Sequence, residues 1–288
     1  MTRRLSALSA TMALVLAGAG ACTQGTGDQA AGEGAPLPTG RAVVEAAATA
    51  LGGVDRIQAL RTLTLQGYGQ YAYQYGGGNI TGSPDAPMKL QAANDLRRVY
   101  DFENRRWRLL ERRNFLFPFA IYGGHNFAPV NQVLDGDIAY DVAPDGATVR
   151  VGPTVGLGAD GPRERRMWML SNPVAAVRAG LDAGTTADNV RREDDLTLVD
   201  LRVASGDVLT LATGANDLPA WVRWSGPHGD LGEVGYTTHF VGYMPFSGIQ
   251  LPMGYTTRLD WRDVDYLKIY VDGYTVDGPV DDMAAPET

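Results

Sequence analysis

Cysteine occurs once in this sequence and histidine three times. A lone thiol, Cys22, closes no disulfide within the chain, so the fold must be held by its core. His125, His228 and His239 have no partner histidine at metal-ligand spacing, and even with Asp230 they do not spell a zinc site. Basic residues are outnumbered, 25 against 33 acidic, giving a formal net charge of −8. A general nucleic-acid binder needs a basic face to replace phosphate counterions, so that class is set aside. Catalytic signatures are missing as well: there is no Gly-x-Ser-x-Gly elbow, no Walker loop and no dinucleotide fingerprint. The adjacent carboxylates Asp194-Asp195 and Asp281-Asp282 read as solvated loop and tail pairs, not as a tuned acid and base. No residue is assigned to catalysis, to a metal or to a cofactor.

What the N-terminus does contain is the outline of an export signal over residues 1–21. Arg3 and Arg4 form a basic start, residues 5–16 an apolar run too short to span a bilayer, and Ala19-Gly20-Ala21 a small-residue cleavage region. Cys22 follows directly, where a bacterial lipoprotein carries its lipidated cysteine; the stretch resembles a lipobox, with Ala19 where leucine is usual. The expectation is lipidation at Cys22, and the alternative is ordinary cleavage leaving a free N-terminal thiol. Residues 22–38, rich in Gly, Ala, Gln and Thr, have little to bury and read as a flexible tether. Residues 39–288 then form a single domain at the periplasmic face of the cell envelope, held to the membrane through Cys22.

The body is organised around residues 196–276, which read as six strands joined by tight turns. Thr197, Val199, Leu201 and Val203 alternate with Leu198, Asp200 and Arg202, as a half-buried strand requires. Ala220, Val222 and Trp224 share one face, with Trp221 and Arg223 on the other. Strands so evenly spaced make an up-and-down antiparallel sheet, because parallel neighbours would need long crossovers. Leu218-Pro219 and Leu251-Pro252 read as strand-start prolines.

Upstream, Thr39 caps a helix over residues 40–51 that places Val43, Val44, Ala47 and Leu51 on one side. Residues 62–75 switch to strict alternation, with Gly67 and Gly69 as bend points of a long, coiling strand. Residues 96–102 and 106–113 form a hairpin, followed by further short strands to residue 151. Residues 163–170 and 174–183 are two helices divided at Asn172-Pro173, since the residue before proline avoids helical geometry.

Two features suggest binding. Arg106, Arg108 and Arg112 share a strand face in the densest positive stretch of an acidic protein. They form either an anion site or a solvated face paired with Asp101, Glu103 and Glu111. Aromatic residues are spread over many strands, among them Tyr71, Tyr73, Trp107, Trp168, Trp224 and Tyr255. A curved sheet gathers them either into an apolar ligand groove or into a packed core against the helices. Arg106, Trp107, Arg108, Tyr71 and Tyr73 are the candidate ligand-binding residues.

Residues 50–53 through Thr62-Leu63, 101–108, Asp135-Gly136 with Ala139-Tyr140, 166–173 and Leu218-Pro219 together resemble the N-terminal region of exported metallo-β-lactamase-fold hydrolases. That region is similar in outline to a lipoprotein-carrier-like fold. The resemblance implies a mainly β fold with α elements: a curved, largely antiparallel sheet, an open half-barrel, with a few helices packed on its concave side. The zinc motif His-x-His-x-Asp-His is found nowhere, so no catalytic residue carries over. The resemblance therefore implies a non-catalytic accessory domain, partnered by a hydrolase. The alternative is a stand-alone cell-envelope lipoprotein that binds a hydrophobic or lipid-like ligand in the curved sheet.

Overall fold

Thr39 caps helix α1, Gly40–Leu51, as expected: its side-chain oxygen accepts a hydrogen bond from the Ala42 amide at 3.2 Å. A computed structural model describes residues 36–72, 90–115, 128–152, 161–228, 231–261 and 263–286. After α1, Gly52 at φ 140° turns the chain, and α2, Val54–Ala59, follows. Six strands come next: β1 Thr62–Ala72, β2 Leu90–Asp101, β3 Arg106–Phe115, β4 Ala128–Asp135, β5 Ile138–Val142 and β6 Thr148–Val151. Helices α3, Pro162–Leu170, and α4, Pro173–Leu181, lie between the two runs of strands. The second run is β7 Thr186–Glu193, β8 Leu196–Arg202, β9 Val208–Thr213, β10 Pro219–His228, β11 Gly232–Phe246, β12 Ile249–Leu259 and β13 Val264–Val276.

All thirteen described strands join one antiparallel sheet, in the order β6-β5-β4-β3-β2-β1-β13-β12-β11-β10-β9-β8-β7. Every neighbour is consecutive in sequence except the pair β1 and β13, which joins the two runs at the middle of the sheet. The six strands expected over residues 196–276 are β8 to β13. The bend expected at Gly67 is present: register shifts at Gly67 on both sides of β1, and a Cβ there would meet the Tyr270 carbonyl at 2.1 Å. Only glycine lets β13 approach so closely.

The curvature can be argued from single contacts. Arg166 on α3 bonds Asp137, in the β4–β5 turn, and Asp207, in the β8–β9 turn, each at 2.8 Å. Those turns are at least eight strand positions apart along the sheet, or about 38 Å on a flat surface at about 4.8 Å per strand. One side chain reaches both because the sheet curls around the helix. The expected open half-barrel with helices on its concave face is what the chain forms, and one apolar cluster fills that face. Val44 and Leu51 of α1, Val177 of α4, and Leu63, Leu201 and Ile269 of the sheet all belong to it.

One strand is added and one expectation corrected. β7 forms over residues 186–193, outside the strands read from the sequence: its Arg191 and Arg192 obscure the alternation, and a bulge between Asp188 and Arg191 breaks the period. Pro252 does not start a strand but lies inside β12, opposite Tyr243 of β11. It is tolerated there because pairing of β12 with β13 begins only at Gly254.

Candidate functional site

The alternation of β3 divides the sequence-named residues between two faces. Trp107 points to the helices and is 1% exposed. Arg106 and Arg108 point to the outer face, so the three do not line one site. On that outer face Arg106 bonds Asp135 at 2.8 Å, and Arg108 bonds Asn131 at 2.9 Å. The C-terminal segment crosses above them, with Asp282 3.5 Å from Arg106 and Asp281 3.3 Å from Arg108. Met283 plugs a small second cluster with Val99, Val133 and Tyr140. The basic patch is thus a paired face, with partners drawn from β4, the tail and, for Arg112, Asp95 of β2; of the expected partners, Glu111 serves Arg113, on the concave face. The pair Asp281-Asp282 is part of the strap, and Asp194 sits at the β7–β8 turn with φ 51°.

On the concave face the aromatic residues do gather. Half-buried Trp168 of α3 is met edge-on by Trp224 and by Tyr236, each at 5.5 Å, and Tyr266 stacks on it at 6.2 Å. Trp224 and Tyr236 stack at 4.4 Å, and His228 meets Tyr266 edge-on at 5.7 Å. Tyr71, beside Tyr266 at 6.1 Å, donates its hydroxyl to Glu111 at 3.1 Å. Glu111 also holds Arg113 at 2.5 Å, and the Arg113 guanidinium lies 4.4 Å from the Tyr71 ring. Burial first, then the Glu111 charge, raises the Tyr71 phenol well above its ordinary range and keeps it neutral. Of the other named aromatics, Trp221 packs on the outer face with Leu198 and Ala212, and Tyr270 stacks on exposed Tyr68 at 5.4 Å. Tyr73 and His125 lie outside the described residues.

Deeper on the same face lies a polar enclave centred on the α3–α4 junction. Asn172 caps α4 by accepting from the Val174 and Ala175 amides, at 3.0 and 3.3 Å, and donates to the Tyr255 hydroxyl at 3.1 Å. Tyr255 in turn meets the Tyr274 hydroxyl at 2.8 Å, and Ser171 accepts from the Trp224 indole at 3.0 Å. Arg98 and Tyr100 of β2 and Trp107 of β3 complete the enclave. Arg98 is 4% exposed, with its guanidinium 6.0 Å from the Trp168 ring centroid. Among the described residues its Nε and the Trp107 Nε1 have no hydrogen-bond partner. Trp107, Arg98 and Asn172 all approach the Tyr100 hydroxyl closely enough to act on it, although the Arg98 Nε and the Trp107 Nε1 make no full hydrogen bond. Sequence reading missed Arg98: it was one arginine among several in a hairpin, and only register shows that it faces the core.

Among the described residues no group of three or more His, Cys, Asp or Glu is placed to hold a metal, and no helix is long and apolar enough to cross a membrane. His228 faces the aromatic cluster. His239 lies in β11 between Trp221 and Thr256, where burial and then the charges of Arg258 and Arg223 lower its basicity.

No family model and no curated protein matches the chain. Among solved structures it is similar to a LolA superfamily protein from Nitrosomonas europaea, at 12% identity over 84% of this chain and 96% of that one, with a TM-score of 0.47. A DUF1329 family protein from Desulfovibrio piger matches at 8% identity over 84% and 94%, with a TM-score of 0.40. LprF from Mycobacterium bovis matches at 12% identity over 88% and 100%, with a TM-score of 0.29. None of the three is described as a metallo-β-lactamase-fold hydrolase, and the kinship expected from the sequence finds no support. The likenesses are of outline only.

Proposed function

We propose that this chain is a stand-alone cell-envelope lipoprotein that shelters an apolar or lipid-like ligand between its helices and the concave face of its sheet. The observation that carries the reading is the aromatic cluster around Trp168, in which the Trp168 and Tyr266 rings stay half-buried against the buried rings of Trp224 and Tyr236. Rings meeting at 4.4 to 6.2 Å offer a large apolar surface with little rotamer entropy to lose on binding. Export through residues 1–21 and anchoring at Cys22 place the protein at the envelope, where such ligands are found. No comparison favours the hydrolase-accessory expectation.

The test is to purify the mature chain from its own envelope, extract it with organic solvent and weigh what comes off. The expected result is one or a few apolar species near one per chain. An empty extract, together with failure of the purified chain to bind oleyl alcohol, would overturn the reading.

A further inference from the structure

Two arginines are fully or almost fully buried on the helix side of the sheet, and their surroundings differ in kind. Arg165 of α3 is saturated: it donates to the Val133 carbonyl at 2.9 Å, the Tyr140 carbonyl at 2.7 Å and the Asp141 carboxylate at 2.6 Å. Such an arginine ties a helix to a sheet. Arg98 has no carboxylate in ion-pair contact among the described residues, and its Nε is orphaned. The carboxylate whose charge acts on it, Glu111, is committed to Arg113 and Tyr71. The phenols around it, Tyr100, Tyr71 and Tyr255, are held neutral by burial and supply dipoles, not charge. A buried cation without a counterion is costly.

The second orphan nearby, Trp107 Nε1, is also a donor. Two donors that share one neutral hydroxyl without a full hydrogen bond to it leave room for a stronger acceptor, and the positive charge says that this acceptor is an anion. We propose that Arg98 and Trp107 form the head-group site of the ligand: a singly charged oxyanion, carboxylate or phosphate, whose oxygens are taken by Arg98 and the Trp107 indole N–H. Its apolar body lies against Trp168, whose ring adjoins the guanidinium, and against Tyr236 and Tyr266. This deepens the reading of an apolar ligand and rests on it.

Titration of the purified, delipidated full chain with oleate, oleyl alcohol and acetate, followed by calorimetry, separates the parts. Oleate is expected to bind roughly ten- to a hundredfold more tightly than oleyl alcohol, the difference made by charge-assisted hydrogen bonds. Arg98→Gln should bring the two ligands to within about threefold of each other, the charge-assisted bonds being lost, and Trp107→Phe should lower the oleate-to-alcohol ratio severalfold. Because Arg98→Gln can also disturb the core, its far-UV spectrum and melting temperature are compared with wild type, and Trp107→Phe, which keeps the ring, stands as the independent variant. Equal affinity of wild type for oleate and oleyl alcohol overturns the head-group site while leaving the apolar-ligand reading in place. An unchanged ratio in both variants does the same. Acetate binding that depends on Arg98, with oleate no tighter than acetate and oleyl alcohol inert, supports the anion site as one for a small free anion and removes the apolar-ligand reading. No binding of any probe overturns both.

Discussion

Arg166 and Asp207 join through Nε and Oδ2 at 2.8 Å, and with the bond from Arg166 to Asp137 this pair clasps the two arms of the curled sheet across α3. Arg163 adds a second bond to Asp207 at 3.1 Å, and Ser205 a third at 2.7 Å. Burial opposes the Asp207 charge, but the bonds from Ser205 and Arg166 and the charges of Arg166 and Arg163 outweigh it and hold its carboxyl below the usual range. A carboxyl depressed on folding stabilises the protein above its unfolded pKa, near 4, and loses that contribution as pH falls through the folded value. Asp207→Asn is expected to cost about 2 kcal/mol at pH 7, and the gap between variant and wild type should begin to narrow as pH falls below about 4. Urea unfolding at pH 7 and pH 3 measures both.

Asn172 serves two structures with one amide: its oxygen caps α4 and its nitrogen bonds Tyr255 on the sheet. Asn172→Ala should cost about 1 kcal/mol for the cap and about 1 more for the bond to Tyr255. Asn172→Asp keeps the cap oxygen but loses the donor and adds a buried charge, so it should be at least as harmful as alanine. Equilibrium denaturation of the two variants side by side tests the order.

How much of this was legible beforehand depends on what decides each feature. Period-two alternation exposed β8 to β13, because one face of each strand is apolar and the register is local. The Thr39 cap and the Asn172-Pro173 break were equally local. The placement of Arg98 was not: Leu96, Arg98 and Tyr100 share one face of β2, Arg97 and Val99 the other, and each face carries an arginine. Which face turned inward was settled by pairing with β1, where Arg98 lies opposite Leu65. The grouping of Trp107 with Arg106 and Arg108 failed because neighbours in a strand point to opposite sides. The strap over the outer face was invisible because residues 277–286 form neither helix nor strand; they are fixed by Met283 and by bonds such as Ala285 to Asp135 at 2.7 Å.

The strap yields a prediction that separates the two faces. Replacing Arg106 and Arg108 together by glutamine should leave affinity for oleate unchanged, since neither side chain faces the concave side. Amide exchange over residues 279–286 should instead rise severalfold, as the pairs to Asp281 and Asp282 are lost. A drop in oleate affinity without a change in exchange would return the ligand to the outer face.

Anchoring is tested at the other end of the chain. Cys22→Ser should move the protein from the membrane fraction to the soluble fraction of the envelope, and the mature wild-type chain should carry the added mass of a lipid on its N-terminal cysteine. A free N-terminal thiol would mean ordinary cleavage and a protein tethered by nothing.

Trp168 is where the binding reading is most exposed to failure. Its ring touches Trp224, Tyr236 and Tyr266, yet it is only half-buried, so its loss should be felt more in binding than in folding. Trp168→Leu retains an apolar side chain on α3 and removes the ring surface, which should weaken oleyl alcohol binding about tenfold, or 1.4 kcal/mol, while stability falls by about 1 to 2 kcal/mol. The two are read from the same preparation by calorimetry and by urea unfolding. If stability falls by about 4 kcal/mol while affinity holds, Trp168 is simply core, and the rings around it are the packing of helix on sheet and nothing more.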